Sequence, residues 1–120
     1  MNQAKSLDDL KLVVKQFCEE REWDQFHGPK DLAIGISTEA NELLDLMRFK
    51  SDSEIIEKMQ DQTQRAEFEH ELADVLFFVL RFAQRFEFDL DACLKLKMEV
   101  NARKYPVHTA KGSNKKYNEK

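Results

Sequence analysis

Apolar residues recur at three- and four-residue intervals along most of this chain, the period of helices that each bury one face. Leu7, Leu10, Val13, Val14 and Phe17 predict a first helix from about Leu7 to Glu20, with Ser6 as its N-cap. The pattern breaks between Glu22 and Pro29. Gly28-Pro29 is the clearest turn signal in the chain, and Pro29 suits the first position of the next helix, where its missing N–H costs nothing. Leu32, Ile36, Ala40, Leu43 and Met47 predict a second helix from about Lys30 to Phe49. Ser51 with Glu54 has the form of a capping box for a short third helix, about Asp52 to Gln60.

Residues 61–64 either begin the fourth helix or lead into it. That helix, about Arg65 to Phe86, is the most apolar segment, and Phe68, Leu72, Val75, Leu76, Val79, Phe82 and Ala83 are expected to bury it deeply. Asp89 is the expected N-cap of a fifth helix reaching about Lys104, and Pro106 marks its end. The polar, Lys-rich stretch 107–120 has no period and reads as a loose tail unless it folds over a ligand. The fold class is therefore all-α: a four- to five-helix bundle in a single domain over residues 1–106, followed by the tail. Apolar faces on so small a bundle are only partly covered, so pairing with a second copy, usually about a two-fold axis, is expected.

Composition agrees with long helices, since the 120 residues include only three glycines and two prolines. The net charge of −4 argues against a nucleic-acid partner, although a polyanionic substrate stays open if a metal ion and local Lys/Arg supply positive charge. Cys18 and Cys93 lie on or near apolar stripes and read as buried, reduced thiols. No signal pattern precedes Ser6 and no apolar run approaches the ~20 residues of a membrane span, so the expected location is the cytoplasm, away from the membrane.

The informative residues are acids on the wrong face. At about 100° per residue, Glu39 falls among Leu32, Leu43 and Leu46, inside the apolar stripe, and Glu42 follows on a neighbouring line. Glu71 and Asp74 repeat the arrangement on the fourth helix, with Glu67 one turn earlier. Antiparallel packing would bring these carboxylates to one level of the bundle. Unpaired, they would raise one another's pKa, and a hard divalent cation, Mg²⁺ or Mn²⁺, resolves the conflict. The bland alternative is pairing with Lys or Arg, or exposure at a helix edge. A di-iron centre is rejected, because Glu67 and His70 supply only one Glu-x-x-His pair.

On the fifth helix Lys97, Asn101 and Lys104 form one polar line with Arg103 beside it, either a solvated face or, near a metal, a clamp for phosphates. Trp23, Phe26 and His27, with Phe17 a short way upstream, make either a small satellite core or a wall on which a base stacks. Phe49 and Phe78 could serve either role.

The sequence Glu39-Ala-Asn-Glu42 followed by Glu71-Leu-Ala-Asp74 resembles the E-x-x-E…E-x-x-D pattern of the MazG-like, all-α NTP pyrophosphatases. The blocks Arg21 to Lys30, Phe49-Lys-Ser-Asp52, Lys97-Met, Asn101, Lys104-Tyr-Pro-Val-His108, Gly112-Ser113 and Lys116-Tyr117 extend the resemblance to the dCTP pyrophosphatase-like branch over nearly the whole chain. The resemblance implies a Mg²⁺-dependent hydrolase that converts a nucleoside triphosphate to the monophosphate and pyrophosphate in nucleotide-pool house-cleaning. It implies Glu39, Glu42, Glu71 and Asp74 as metal ligands and catalytic residues; for orienting the attacking water the candidates are one of these four, Glu42 favoured, or Glu67 behind them. On the substrate side it implies Trp23, Phe26, His27, Lys30, Phe49 and Phe78, and toward the phosphates Lys97, Asn101, Arg103, Lys104 and Tyr105. Three positions depart from the branch: Val14 stands for a His, Phe49 for a Trp and Phe78 for a Tyr near the sugar. Losing that hydroxyl relaxes the expected sugar selectivity. The competing functions are a nucleotide-binding regulatory bundle without hydrolysis and a purely structural oligomerisation module.

Overall fold

The computed structural model of the protein describes residues 6–115. Six α-helices account for its regular structure, with one 3₁₀ turn, Asp24–Phe26, and no strand among the described residues. They are α1 (Leu7–Glu20), α2 (Pro29–Asp45), α3 (Asp52–Met59), α4 (Gln62–Arg85), α5 (Leu90–Lys104) and α6 (Val107–Ala110). The all-α reading holds. The chain forms two compact units, Met1–Glu87 and Phe88–Lys120.

Local chemistry explains the helix starts. Ser6 caps α1 by accepting from the Asp9 N–H, and Ser51 with Glu54 makes a complete capping box at α3. Gly28 precedes α2 with Pro29 in its first turn. Asp61, in the stretch the sequence leaves ambiguous, is the N-cap of α4 and accepts from the Gln64 N–H, so that helix begins three residues before the expected start. Asp89 caps α5 in the same way through Ala92.

Of the expected helix ends, that of the second helix differs most. The helix expected to reach Phe49 stops at Asp45, and its last turn tightens into short bonds such as Met47 N–H to the Leu44 carbonyl at 2.9 Å. Phe49 then closes the segment in the left-handed region, φ 66°, as Glu22 does after α1 and Glu87 after α4. With so few glycines, the chain ends these helices on residues that carry a Cβ penalty; α1 and α4 still end at or within one residue of the expected Glu20 and Phe86. In the tail, residues 107–110 form α6 behind Pro106, one turn where no periodic structure is expected. Lys116 and Tyr117 lie outside the described residues.

In the first unit α4 is the central element and packs against α1, α2 and α3. The core comprises Val14 and Cys18 from α1, Leu32 from α2, Ile55 from α3, and Phe68, Leu80 and Ala83 from α4. The expected deep burial of α4 is only partly met, because Leu72 and Leu76 are exposed. These two residues and Leu44 of α2 are apolar surface that no other part of their unit covers. In the second unit almost every α5 residue is exposed, Cys93 included, so the expected buried state of that thiol is corrected; Cys18 is buried, and both are free.

A candidate metal centre between two antiparallel helices

α2 and α4 approach closely because α2 carries a glycine at the crossing. A Cβ at Gly35 would collide with the Phe78 ring, whose Cζ would stand 2.8 Å away. Gly35 faces Phe78 while, one turn further along α2, Glu39 faces Glu71, so the two helices run antiparallel. This is the packing that brings acids on both helices to one level.

Glu39, Glu42 and Glu71 each offer a carboxylate oxygen, and these oxygens lie within 4.8 Å of one another. Glu39 and Glu71 are half-buried, and Glu42 is exposed. Oε2 of Glu39 and Oε2 of Glu71 are shielded from solvent and have no hydrogen-bond partner. Burial pushes the Glu39 carboxyl up to about 7, helped by a hydrogen bond with Glu42 and then by the negative charges of Glu42, Asp74 and Glu71. The Glu71 carboxyl is raised for the same leading reason, burial, then by its hydrogen bond with Glu42 and the charges of Glu42 and Asp74; nearby His70 opposes the shift. Asp74 is outside the close triplet and exposed, yet its charge acts on both half-buried acids. Glu67 is exposed on α4.

Orphaned buried carboxylate oxygens are expensive, costing about 1–3 kcal/mol each or more when charged. The pairing with Lys or Arg weighed from the sequence is absent at Glu39 and Glu71: the ion pairs among the described residues are Lys11–Asp8, Arg21–Glu20, Arg48–Asp45 and Arg81–Asp24. An all-oxygen, acidic donor set with two unsatisfied oxygens fits a hard divalent cation of the Mg²⁺ type.

Among α2, α3 and α4 lies a groove of about 290 Å³ lined by Leu43, Met47, Met59, Arg65, Phe68, Glu69 and Leu72. Five rings form a continuous row from the loop before α2 to α4. His27 meets Trp23 edge-on at 5.8 Å, Trp23 meets Phe17 at 5.5 Å, Phe17 meets Phe77 at 6.2 Å, and Phe77 meets Phe78 at 5.2 Å. Phe78 is one turn beyond Asp74, so the row joins the aromatic loop to the acid cluster. Phe77, the link between them, was not a sequence candidate.

Phe26 and Lys30 are exposed. Phe49 is 93% exposed, at a strained φ, with the Arg48 guanidinium 4.7 Å from its ring centre. In the second unit Lys97, Asn101 and Lys104 share one line of α5, with Asn101 half-buried, and Arg103 and Tyr105 are exposed at its C-terminal end.

Sequence reasoning missed Arg81. It lies in the most apolar helix, it is fully buried, and it ties the aromatic loop to α4. Nε donates to Nδ1 of His27 at 2.8 Å, Nη1 to Oε1 of Gln84 at 2.6 Å, and Nη2 to Oδ1 of Asp24. The signal was present: a charge on an apolar stripe is the same anomaly that singled out Glu39.

Comparison with known proteins places these features in context. The description "MazG-like family" matches residues 34–119. The dCTP pyrophosphatase 1 of Homo sapiens is 36% identical over 114 residues, which cover 95% of this chain and 67% of the human protein. That of Rattus norvegicus is 37% identical over 112 residues, covering 93% of this chain and 66% of the rat protein. The chain thus spans about two thirds of the length of these curated relatives. A crystal structure of a pyrophosphatase from Archaeoglobus fulgidus is similar at a TM-score of 0.77 and 34% identity, covering 87% of this chain and 95% of the archaeal one.

Proposed function

The chain belongs to the MazG-like family, and on that premise we propose that it is a divalent-metal-dependent nucleoside triphosphate pyrophosphatase acting on dCTP or a related or modified dNTP. The carrying observation is the pair of buried, unpartnered oxygens of Glu39 and Glu71 beside Glu42. The relatives named dCTP pyrophosphatase 1 and the archaeal pyrophosphatase support the reaction class.

Glu39, Glu42, Glu71 and Asp74 would hold Mg²⁺, with Mn²⁺ as a substitute. An ion held there would supply positive charge to the phosphate oxygens and a lowered pKa to a water. Glu42, the exposed member of the triplet, orients the water that attacks the α-phosphorus in line. The bond to the bridging oxygen breaks, pyrophosphate leaves, and the monophosphate carries the water oxygen. The row from His27 to Phe78 walls the nucleoside side, and Phe49, exposed on a strained backbone, is a stacking platform. Lys97, Asn101, Arg103, Lys104 and Tyr105 are the residues proposed for the phosphate end, supplied by this copy or by a neighbouring one. Phe78 has no hydroxyl to read the sugar, which favours a broader dNTP range.

The uncovered Leu44, Leu72 and Leu76 support assembly as a homodimer or homotetramer. No helix among the described residues is long and apolar enough to cross a membrane. Nucleotide-pool house-cleaning in the cytoplasm is the corresponding role.

The test is a dNTP panel with Mg²⁺, comparing the wild-type protein with Glu42→Gln and Glu71→Gln. Pyrophosphate release by the wild type and its loss in both variants is expected. Near-normal turnover in the variants refutes the site.

A further inference from the structure

Arg81 is an expensive residue to bury. A guanidinium taken out of water is a net cost unless its hydrogen bonds are made, and an apolar side chain of similar volume would serve the core as well. In this protein each of its three nitrogens has a partner, and two of those partners, Asp24 and His27, lie in the aromatic loop.

The direction of the bond to His27 has a chemical consequence. Arginine is always protonated, so its Nε–H only donates. Nδ1 of His27, which receives it at 2.8 Å, therefore carries no proton, and the ring's single proton is on Nε2. Burial first, then the Arg81 charge, holds the His27 pKa below its ordinary value, so the ring stays neutral near pH 7. The edge-on contact with Trp23 at 5.8 Å restrains the ring from a second side. The one polar function His27 has left for a ligand is an N–H donor.

We propose that Arg81 is a positioning residue that fixes His27 as its Nε2–H tautomer, so that the aromatic loop offers a directed donor to an acceptor atom of the nucleobase, a carbonyl oxygen or an unprotonated ring nitrogen. The inference rests on the reading of this loop as the base-side wall of a nucleotide site. A base edge that presents its own N–H at that point meets a donor and is disfavoured.

The test combines ring-nitrogen NMR of the histidines with steady-state kinetics on the full chain. In the wild type, His27 shows its proton on Nε2. In Arg81→Lys, which keeps the charge and lacks Nε and the planar fork, the tautomers mix and KM for the preferred dNTP rises about three- to tenfold, the equivalent of one hydrogen bond, with a smaller change in kcat. Should Arg81→Lys fail to fold, a pair at position 27 decides. His27→Asn retains an acceptor where Nδ1 was but no donor at the Nε2 position; His27→Gln places a donor there. KM rises further in His27→Asn than in His27→Gln. A wild-type protein that hydrolyses no dNTP overturns the nucleotide reading. One that hydrolyses dNTPs with His27 protonated on Nδ1, or with both position-27 variants shifted equally, overturns this inference alone.

Discussion

Replacing Glu39 by Gln should stabilise the metal-free protein. The side chain is half-buried, one of its oxygens is unpartnered, and three other acids act on it. Its carboxyl is pushed up to about 7 in the folded state, against an ordinary value of about 4.3. The folded state therefore binds the proton more tightly than the unfolded chain does, so stability falls as pH rises from about 4.3 through 7. At 1.36 kcal/mol per unit the ionised side chain costs at most about 3–4 kcal/mol above pH 8, and solvent screening at a half-buried position leaves about 1–2 kcal/mol. Glutamine removes the charge at nearly constant volume. In EDTA at pH 8 the melting temperature of Glu39→Gln should exceed that of the wild type by roughly 3–10 °C. The gap should close at pH 5, where the wild-type carboxyl is itself protonated. Saturating Mg²⁺ should raise the wild type far more than the variant, because only the intact acid set gains from binding. Thermal melts by circular dichroism at both pH values, with and without Mg²⁺, read all three effects. A variant that melts at or below the wild type at pH 8 in EDTA would refute the account of the cluster as mutually repelling, uncompensated acids.

Three further outcomes follow from the packing. Gly35→Ala drives a methyl into the Phe78 ring and should cost about 1–3 kcal/mol in urea denaturation, a loss that Phe78→Leu in the same chain partly relieves. The Asp24 carboxyl is held below its ordinary range, first by the hydrogen bond from Arg81. Its contribution is therefore present above about pH 4 and lost as pH falls through the depressed value, so the wild type should shed a stability increment in acid melts that Asp24→Asn never has. A thiol reagent should modify the exposed Cys93 in the native protein, whereas Cys18, buried and with its pKa raised by that burial, should react only on unfolding. Equal rates at the two cysteines would contradict the burial described.

Much of this was legible because helical period and caps are local signals. Ser6, Ser51 with Glu54, and Asp89 announce their helices within four residues, and the acids at 39, 42, 71 and 74 stand out against apolar neighbours. What was not legible depended on distant parts of the chain. The end of α2 at Asp45 was missed by four residues, because the segment closes on Phe49 in the left-handed region without a glycine to mark it. The role of Gly35 exists only because Phe78 lies across it. The exposure of Leu72, Leu76 and Cys93 reflects how little surrounds those faces in one chain, which periodicity does not report. Arg81 reads as an interruption of α4 until Asp24, His27 and Gln84 are seen around it.

The most direct test of the central claim is hydrolysis of a dNTP in ¹⁸O-labelled water with Mg²⁺, followed by ³¹P NMR of the products. Attack on the α-phosphorus at a carboxylate-held metal predicts labelled monophosphate, unlabelled pyrophosphate and no reaction in EDTA. Label in the pyrophosphate, release of orthophosphate as the primary product, or equal turnover in EDTA would contradict it.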